Sequence, residues 1–381
     1  MKISQIDVYV LKTPLEQAFA SSQARIGQRA ATLVRITTDD GLVGWGEAFT
    51  QGPEPPEIAA AAIEHALKPW LLGRDPLDIQ VLWHEMYNRT RDYGRKGSVV
   101  SAISGIDLAL WDLAGHFYGQ PVHRLLGGAV RRRIQPYATG FFRINGPGEA
   151  DRLAAEALAH RDAGFTAMKV KLGFGLRDDL EVMQAIAEAL ADDSIELMVD
   201  VNHAYGRAEA LQLGRALEPL NLRWLEEPIV PEDIDGYAEL RSRLSIPIAG
   251  GENEHTAFGY YPLIRAGGLD IAQPDVGSCG GISAARDITA IAHAAGVAVN
   301  PHVWGSAVSQ AASIQFIAAL PVTHARLFPA EPILEYDQST HPFRQELITR
   351  PWQLVDGMIE VSDAPGLGIE VREDIVEQYM A

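Results

Sequence analysis

Residues 167–202 read AMKVKLGFGLRDDLEVMQAIAEALADDSIELMVDVN. Two short apolar runs, Ala167–Leu172 and Glu196–Val201, flank a stretch, Leu176–Leu190, whose apolar residues recur every three or four positions. That pattern is strand, amphipathic helix, strand, and a connection of this length makes the two strands parallel. The unit repeats on both sides at roughly 25 residues. Further candidate strands are Gln135–Gly140, Leu222–Glu226, Ile246–Gly251, Leu269–Pro274 and Val297–Pro301, with helices such as Gly148–Ala163 and Ile282–Ala295 between strands. Seven units and a less regular eighth near Arg326–Tyr336 suggest a parallel βα barrel. A doubly wound open sheet would fit the alternation nearly as well.

Outside this rhythm the chain reads differently. Ile3–Leu11 and Ala31–Thr37 alternate like strands, and Asp39-Asp40-Gly41 leads into Leu42–Glu47 as a hairpin. Pro56–Leu71, Pro76–Arg89 and Ser98–Tyr118 have helical spacing. The expected organisation is α/β: a modified TIM (β/α) barrel over 129–342, an N-terminal α+β capping domain over 1–128, and a segment, 343–381, that returns to the capping domain.

The chain has 381 residues, 47% hydrophobic and 22% charged, which suits a globular protein with a sizeable core. A net charge of −18 argues against nucleic acid as a partner, and the sequence offers no unbroken apolar run of membrane-spanning length. The N-terminus alternates instead of forming the compact apolar run of a secretory signal, so the cytoplasm is the expected location. The single cysteine, Cys279, excludes an internal disulfide framework and fits packing beside Gly280 and Gly281. An acidic protein that handles an anionic substrate needs local positive charge.

Catalytic groups of a βα barrel sit at the C-terminal ends of its strands. Asp200, Glu226 and Glu252 end three successive candidate strands, each 26 residues after the last. Equal spacing places three carboxylates at one height, and an all-oxygen set suits a hard cation such as Mg²⁺. A single strand-terminal acid commonly caps a helix or forms an ion pair; a regular triplet calls for something to hold it together. Lys169 and Lys171 lie two apart on one strand and project to the same side, where mutual repulsion would lower their pKa values toward those of a general base. Asp275 and His302 end the next two strands, and a carboxylate beside an imidazole makes an acid/base dyad. His293, His324 and His341 lack such a frame.

In order, residue type and interval, Lys169-x-Lys171, Asp200-x-Asn202, Glu226, Glu252, Asp275, His302 and Leu334-Glu335 resemble the mandelate-racemase subgroup of the enolase superfamily. Gly44-x-Gly46-Glu47 and Asp107-x-Ala109-x-Trp111-Asp112 extend the resemblance over nearly the whole chain. It implies a Mg²⁺ ion on Asp200, Glu226 and Glu252. Lys171 would be one base, with His302 and Asp275 as acid/base on the opposite face of the substrate. Lys169 and a protonated Glu335 would bind the substrate carboxylate, with Asn202 among the contacts. Such sites remove the proton α to a carboxylate through an ene-diolate.

Ser104–Asp107, Tyr137–Gly140, Pro301–Gly305 and Glu331–Asp337 resemble the galactarolactone-cycloisomerase branch, whose members open acid-sugar lactones by β-elimination. A sugar-acid dehydratase shares that chemistry. A racemase or epimerase is the alternative, although dipeptide epimerases usually carry a lysine where this chain has His302. A non-catalytic sugar-acid binding barrel would have no use for two opposed bases, and no Gly-x-Gly-x-x-Gly follows the first strand to support a hydride-transfer enzyme. The loops Phe19–Arg29 and Thr50–Pro56 are expected to close over the substrate, with Arg25, Arg29 and Arg143 as candidate contacts. A homo-oligomer is implied by the resemblance alone.

Overall fold

The structure is a computed structural model that describes residues 1–50, 52–190, 195–322, 324, 327 and 329–381. The alternating N-terminus forms an antiparallel sheet of β1 (Ile3–Ala20), β2 (Arg25–Thr38) and β3 (Val43–Ala48), in that order, and the Asp39-Asp40-Gly41 turn joins the last two. Both long strands run past their expected ends. The segment 19–29, expected as a loop, is the tip of the β1–β2 hairpin, with Phe19 opposite Ile26 and Ala20 opposite Arg25. Beyond Leu11 the ribbon leaves the core and carries Lys12, Glu16 and Gln17 exposed or half-exposed, so no apolar alternation marks it as strand.

Helices then cover the sheet. Pro56–Leu71, expected as one helix, is interrupted by a π-helical turn at Ala62–Leu67, with Pro69 in the turn that follows. Ile79–Thr90 and Ser98–Tyr118 are continuous. Ser98–Tyr118 is long and apolar enough to cross a membrane by length and composition, but 89% of its apolar window is buried within this fold. A Cβ on Gly44 would stand 2.2 Å from the Ala109 carbonyl, and one on Gly46 would stand 2.0 Å from that of Gly105. Only glycine at these two positions lets β3 lie directly on the helix.

After β4 (Arg133–Ile134) come β5 (Pro136–Gly140), β6 (Ala167–Lys171), β7 (Glu196–Asp200), β8 (Leu225–Glu226), β9 (Ile248–Gly250), β10 (Ile271–Ala272), β11 (Ala298–Val299) and β12 (Leu334–Asp337). The last eight form one sheet in the order β12-β5-β6-β7-β8-β9-β10-β11, with every neighbouring pair parallel. Strand order follows chain order without the reversal that an open doubly wound sheet requires, which decides the question that periodicity left open. A helix of ten or more residues follows each of β5 to β11, but among the described residues none follows β12. The eighth unit was expected to open at Arg326, which lies outside the described residues. Between β11 and β12, Ile333 N donates to Asn300 Oδ1 at 2.8 Å, so a side chain joins the two edges of the sheet.

The interior of the barrel is layered by the two-residue period of its strands. Tyr137, Ala167, Met198, Trp224, Ala249 and Ile333 form a buried apolar plug. Two residues further along three of those strands, on the same side, stand Lys169, Asp200 and Glu226. The plug therefore supports a charged layer. Near the C-terminus, β13 (Ile359–Glu360) pairs with β4, while Leu11 bridges Met380 and the helix Glu373–Tyr379 packs on β1. Residues 343–381 thus touch the start of the barrel as well as the first sheet.

Candidate active site

The parallel register sets the site. Lys171 pairs with Asp200, Asp200 with Glu226, and Glu226 with Ala249. The first two carboxylates therefore share one height, as their spacing predicts. Glu252 differs: it lies three residues beyond the register position, past the end of β9. Its carboxylate still converges with the others, and one oxygen from each of Asp200, Glu226 and Glu252 lies within 4.8 Å of the other two, all three residues being buried. Three convergent oxygens in a water-poor site are a donor set for a hard divalent cation.

Both lysines reach this cluster. Lys169 Nζ lies 2.6 Å from Glu226 Oε1, 2.8 Å from Glu335 Oε1 and 3.7 Å from Asp200 Oδ2. Lys171 Nζ donates to Asp200 Oδ2 and, at 3.2 Å, to Asn202 Oδ1. Mutual repulsion was expected to lower their pKa values, and here the structure differs. Burial does disfavour both ammonium groups, yet Glu226 and Glu335 around Lys169, and Asp200 beside Lys171, outweigh it and hold both above the ordinary lysine value. Glu335 is likewise not held protonated: burial favours its neutral form, but Lys169 and His302 pull its carboxyl below the ordinary range. Burial instead raises Glu226, against the opposing pull of Lys169.

Across the triad stands the predicted dyad. His302 Nδ1 is 2.7 Å from Asp275 Oδ2, while Nε2 lies 3.4 Å from Glu252 Oε2 and 3.8 Å from Glu335 Oε2. Asp275 is held in turn by the Gly277 N–H at 2.7 Å. Burial works against the imidazolium, but Glu252, Glu335 and Asp275 raise its pKa to about 10. Asn202 has a left-handed backbone, φ 46°, which turns its N–H onto Asp200 Oδ1 at 2.8 Å.

The structure places the three candidate arginines in contacts within the protein. Arg25 donates to the Ile144 carbonyl at 3.1 Å, and Arg143, fully buried, pairs with Asp178 at 2.8 Å beneath Phe174. Arg29 pairs with Asp337 at 3.1 Å, donates to the Thr340 carbonyl, and packs against the rings of Phe19 and Trp304. None of the three lines the cavity above the triad; all three fasten the hairpin tip or its surroundings. Ser22 and Gln23 add hydrogen bonds of 2.9 and 2.7 Å to the carbonyls of Val201 and Asn202. The tip thus closes over the mouth as expected of the segment 19–29, but as a strand-paired lid.

That lid supplies Ser21, Gln23, Ala24 and Ile26 to a cavity of about 140 Å³, with Gly52 and Pro53 beside them. Gln51, in the second expected loop, lies outside the described residues. Lys171, Asn202, Glu252 and His302 line it from the barrel, and Phe142, His203, Asn253 and Trp304 complete the wall.

Sequence reasoning assigned no role to several supporting groups. Gln273 and Trp224 donate to Glu226 Oε2 at 2.7 and 2.8 Å and fix the orientation of that carboxylate. The polar Gln273 ending an apolar run, two residues before Asp275, was a usable signal. Glu47, from the first sheet, accepts from the N–H groups of Ser306 and Ser309 at 2.9 Å each and caps the helix that follows His302.

Two family models match the chain: the mandelate racemase / muconate lactonizing enzyme N-terminal domain over residues 5–127 and the enolase C-terminal domain-like model over residues 152–375. D-galactarolactone cycloisomerase of Agrobacterium fabrum is 41% identical over 379 residues, covering 100% of this chain and 99% of that one. The crystal structure of 3,6-anhydro-D-galactonate cycloisomerase from Zobellia galactanivorans superposes with a TM-score of 0.89 at 37% identity, covering 100% of both chains. A racemase from Streptomyces coelicolor A3(2) with bound magnesium gives a TM-score of 0.89 at 28% identity, again over 100% of both chains. With its charged layer at the C-terminal ends of the barrel strands and both of its domains matched, the chain belongs to the mandelate racemase / muconate lactonizing enzyme family of the enolase superfamily.

Proposed function

We propose that this enzyme removes the proton α to the carboxylate of an acid sugar or its lactone and completes a β-elimination, as a lactone cycloisomerase or a sugar-acid dehydratase. The observation that carries the reading is the placement of Lys171 and His302, on β6 and after β11, with the carboxylates of β7, β8 and the loop after β9 between them. The relatives named as cycloisomerases support the same chemistry.

The oxygens of Asp200, Glu226 and Glu252 fit Mg²⁺, which when bound would draw charge from the substrate carboxylate and take up the Asp200 charge that keeps Lys171 protonated. Lys169, fully buried, adds a fixed positive charge where the enediolate gains its second negative charge. Lys171 Nζ takes the α-proton. Asp275 holds the His302 ring by Nδ1, so that Nε2 delivers a proton on the other face to the departing β-oxygen. The closed lid keeps water from the enediolate.

The same two-sided arrangement would serve a racemase, in which His302 returns the proton to carbon. Assay of a panel of aldonates, aldarates and their lactones for 3-deoxy-2-keto acid separates the readings. Keto acid that appears with Mg²⁺ and vanishes with EDTA supports elimination; inversion without keto acid contradicts it.

A further inference from the structure

We propose that Glu47 is a positioning residue for the acid/base dyad. From the capping domain it holds the start of the helix Ala307–Ala319, and through it the loop that carries His302. This rests on the reading of His302 as the group that acts opposite Lys171. Glu47 is buried on β3, and among the described residues no cation pairs with it. A buried carboxylate without a counter-charge is costly unless donors fill its oxygens. Here the donors come from one helix start. Oε2 accepts from Ser306 Oγ at 2.5 Å and from the N–H groups of Ser309 and Ser306 at 2.9 and 3.1 Å, and Oε1 accepts from the Ser306 N–H at 2.9 Å. Burial pushes the Glu47 carboxyl above its ordinary range, and these donors oppose that push. Ser306 Oγ in turn accepts from the Val308 N–H at 3.2 Å, so the serine that Glu47 grips is the cap of the helix.

Ser306 lies four residues after His302, and residues 301–305 belong to no helix or strand. Arg344 holds the carbonyls of Val303 and Gly305 at 3.0 and 2.8 Å, and Glu47 fixes the far end of the loop. A Cβ on Gly305 would stand 2.8 Å from Glu47 Oε1, so the chain passes directly against the carboxylate. The same strand end reaches Asp275. Phe49 N donates to the Gly277 carbonyl at 2.9 Å, the Gly277 N–H donates to Asp275 Oδ1 at 2.7 Å, and the Phe49 ring packs against that of His302 at 5.8 Å. A Cβ on Gly277 would stand 2.6 Å from Ser309 Oγ and 2.8 Å from Phe49 Cβ, so the Asp275 loop, the end of β3 and the helix close on one point. One capping strand therefore grips the loops of both dyad members. A displacement of about 1 Å at a reacting group can cost about a hundredfold in rate, so such a grip bears on turnover.

The test uses Glu47→Gln, which keeps the shape but removes the charge and one acceptor oxygen, and the milder Ser306→Ala, which removes the hydroxyl donor. Each Mg²⁺-loaded variant is incubated in D₂O with an acid sugar that yields keto acid. Deuterium at the α-carbon of recovered substrate is measured against keto acid formed. Lys171 is held by Asp200 and Asn202 instead, so its step should persist while the His302 step slows. The ratio of exchange to elimination is expected to rise about tenfold, because the enediolate returns to substrate more often than it eliminates. A merely structural role lowers both together, and an unchanged ratio in both folded variants overturns the proposal. A second readout needs no substrate. In metal-free protein labelled with ¹⁵N-histidine, the His302 Nδ1 proton that faces Asp275 should exchange with water about tenfold faster in Glu47→Gln than in the wild type. Unchanged exchange overturns the proposal. Absence of keto acid from every substrate with the wild-type enzyme would instead overturn the elimination reading, and the Nδ1 proton would still decide the role of Glu47.

Discussion

Asp275 Oδ2 stands 2.7 Å from Nδ1 of His302, both groups buried, on the side of the triad away from Lys171. The contact fixes which imidazole nitrogen faces the carboxylate layer. Asp275→Asn preserves shape but removes the charge that orients and sustains the imidazolium. Its kcat should fall by about 10²–10⁴-fold, the range for loss of general acid–base assistance, with KM changed far less. Steady-state kinetics on the best substrate, with circular dichroism to verify the fold, checks this.

His302 also makes the metal-free protein sensitive to pH. Its folded pKa of about 10 lies above the unfolded value near 6.5. The folded state therefore binds the extra proton, and the stability this confers is complete below about pH 6.5 and is lost as pH rises through about 10, at about 1.4 kcal/mol per pH unit between them. Unfolding of EDTA-treated protein across that window should show the decline, and His302→Asn should flatten it. A stability that rises from pH 7 to 10 in the metal-free protein would contradict the assignment.

The residues behind the triad should govern metal affinity. Gln273→Ala removes the 2.7 Å donor to Glu226 Oε2 while leaving the three carboxylates of the triad in place. Outer-shell losses of this kind typically cost about 10–100-fold in affinity. Calorimetric titration with Mg²⁺ measures it, and an unchanged affinity would show that Gln273 does not orient Glu226.

Arg29 ties the hairpin lid to the barrel through Asp337, Thr340 and the ring of Trp304. Arg29→Ala leaves the buried Asp337 with only Ser339 and the Arg344 guanidinium at 4.0 Å, and should destabilise the fold by up to about 3 kcal/mol. The loosened lid should raise KM as well. Urea unfolding and KM, measured together, distinguish this clasp from a direct substrate contact, which would raise KM with stability intact.

How far the sequence revealed this site depends on what each residue's partners are. Asp200, Glu226 and Lys171 are set by strand period and register, both local properties, and were legible at once. Glu252 was found by its spacing, although it reaches the triad from a loop past the register position. The barrel was distinguishable from an open sheet only through strand order, which no periodicity encodes. The roles of Arg25, Arg29 and Arg143 depended on Ile144, Asp337 and Asp178, partners that the fold alone brings near. The protonation of Glu335 and of the lysines went wrong for a related reason. Lys-x-Lys shows only the repulsion within its own strand, whereas carboxylates from β7, β8 and β12 set the outcome.

The proposed action of Lys171 and His302 on opposite faces of one carbon acid is open to test by solvent exchange in D₂O. With Mg²⁺ and an acid sugar that yields keto acid, Lys171→Ala should abolish both α-proton exchange and keto-acid formation. His302→Asn should block keto-acid formation, with both variants folded. Keto acid formed at the wild-type rate by either variant would contradict it.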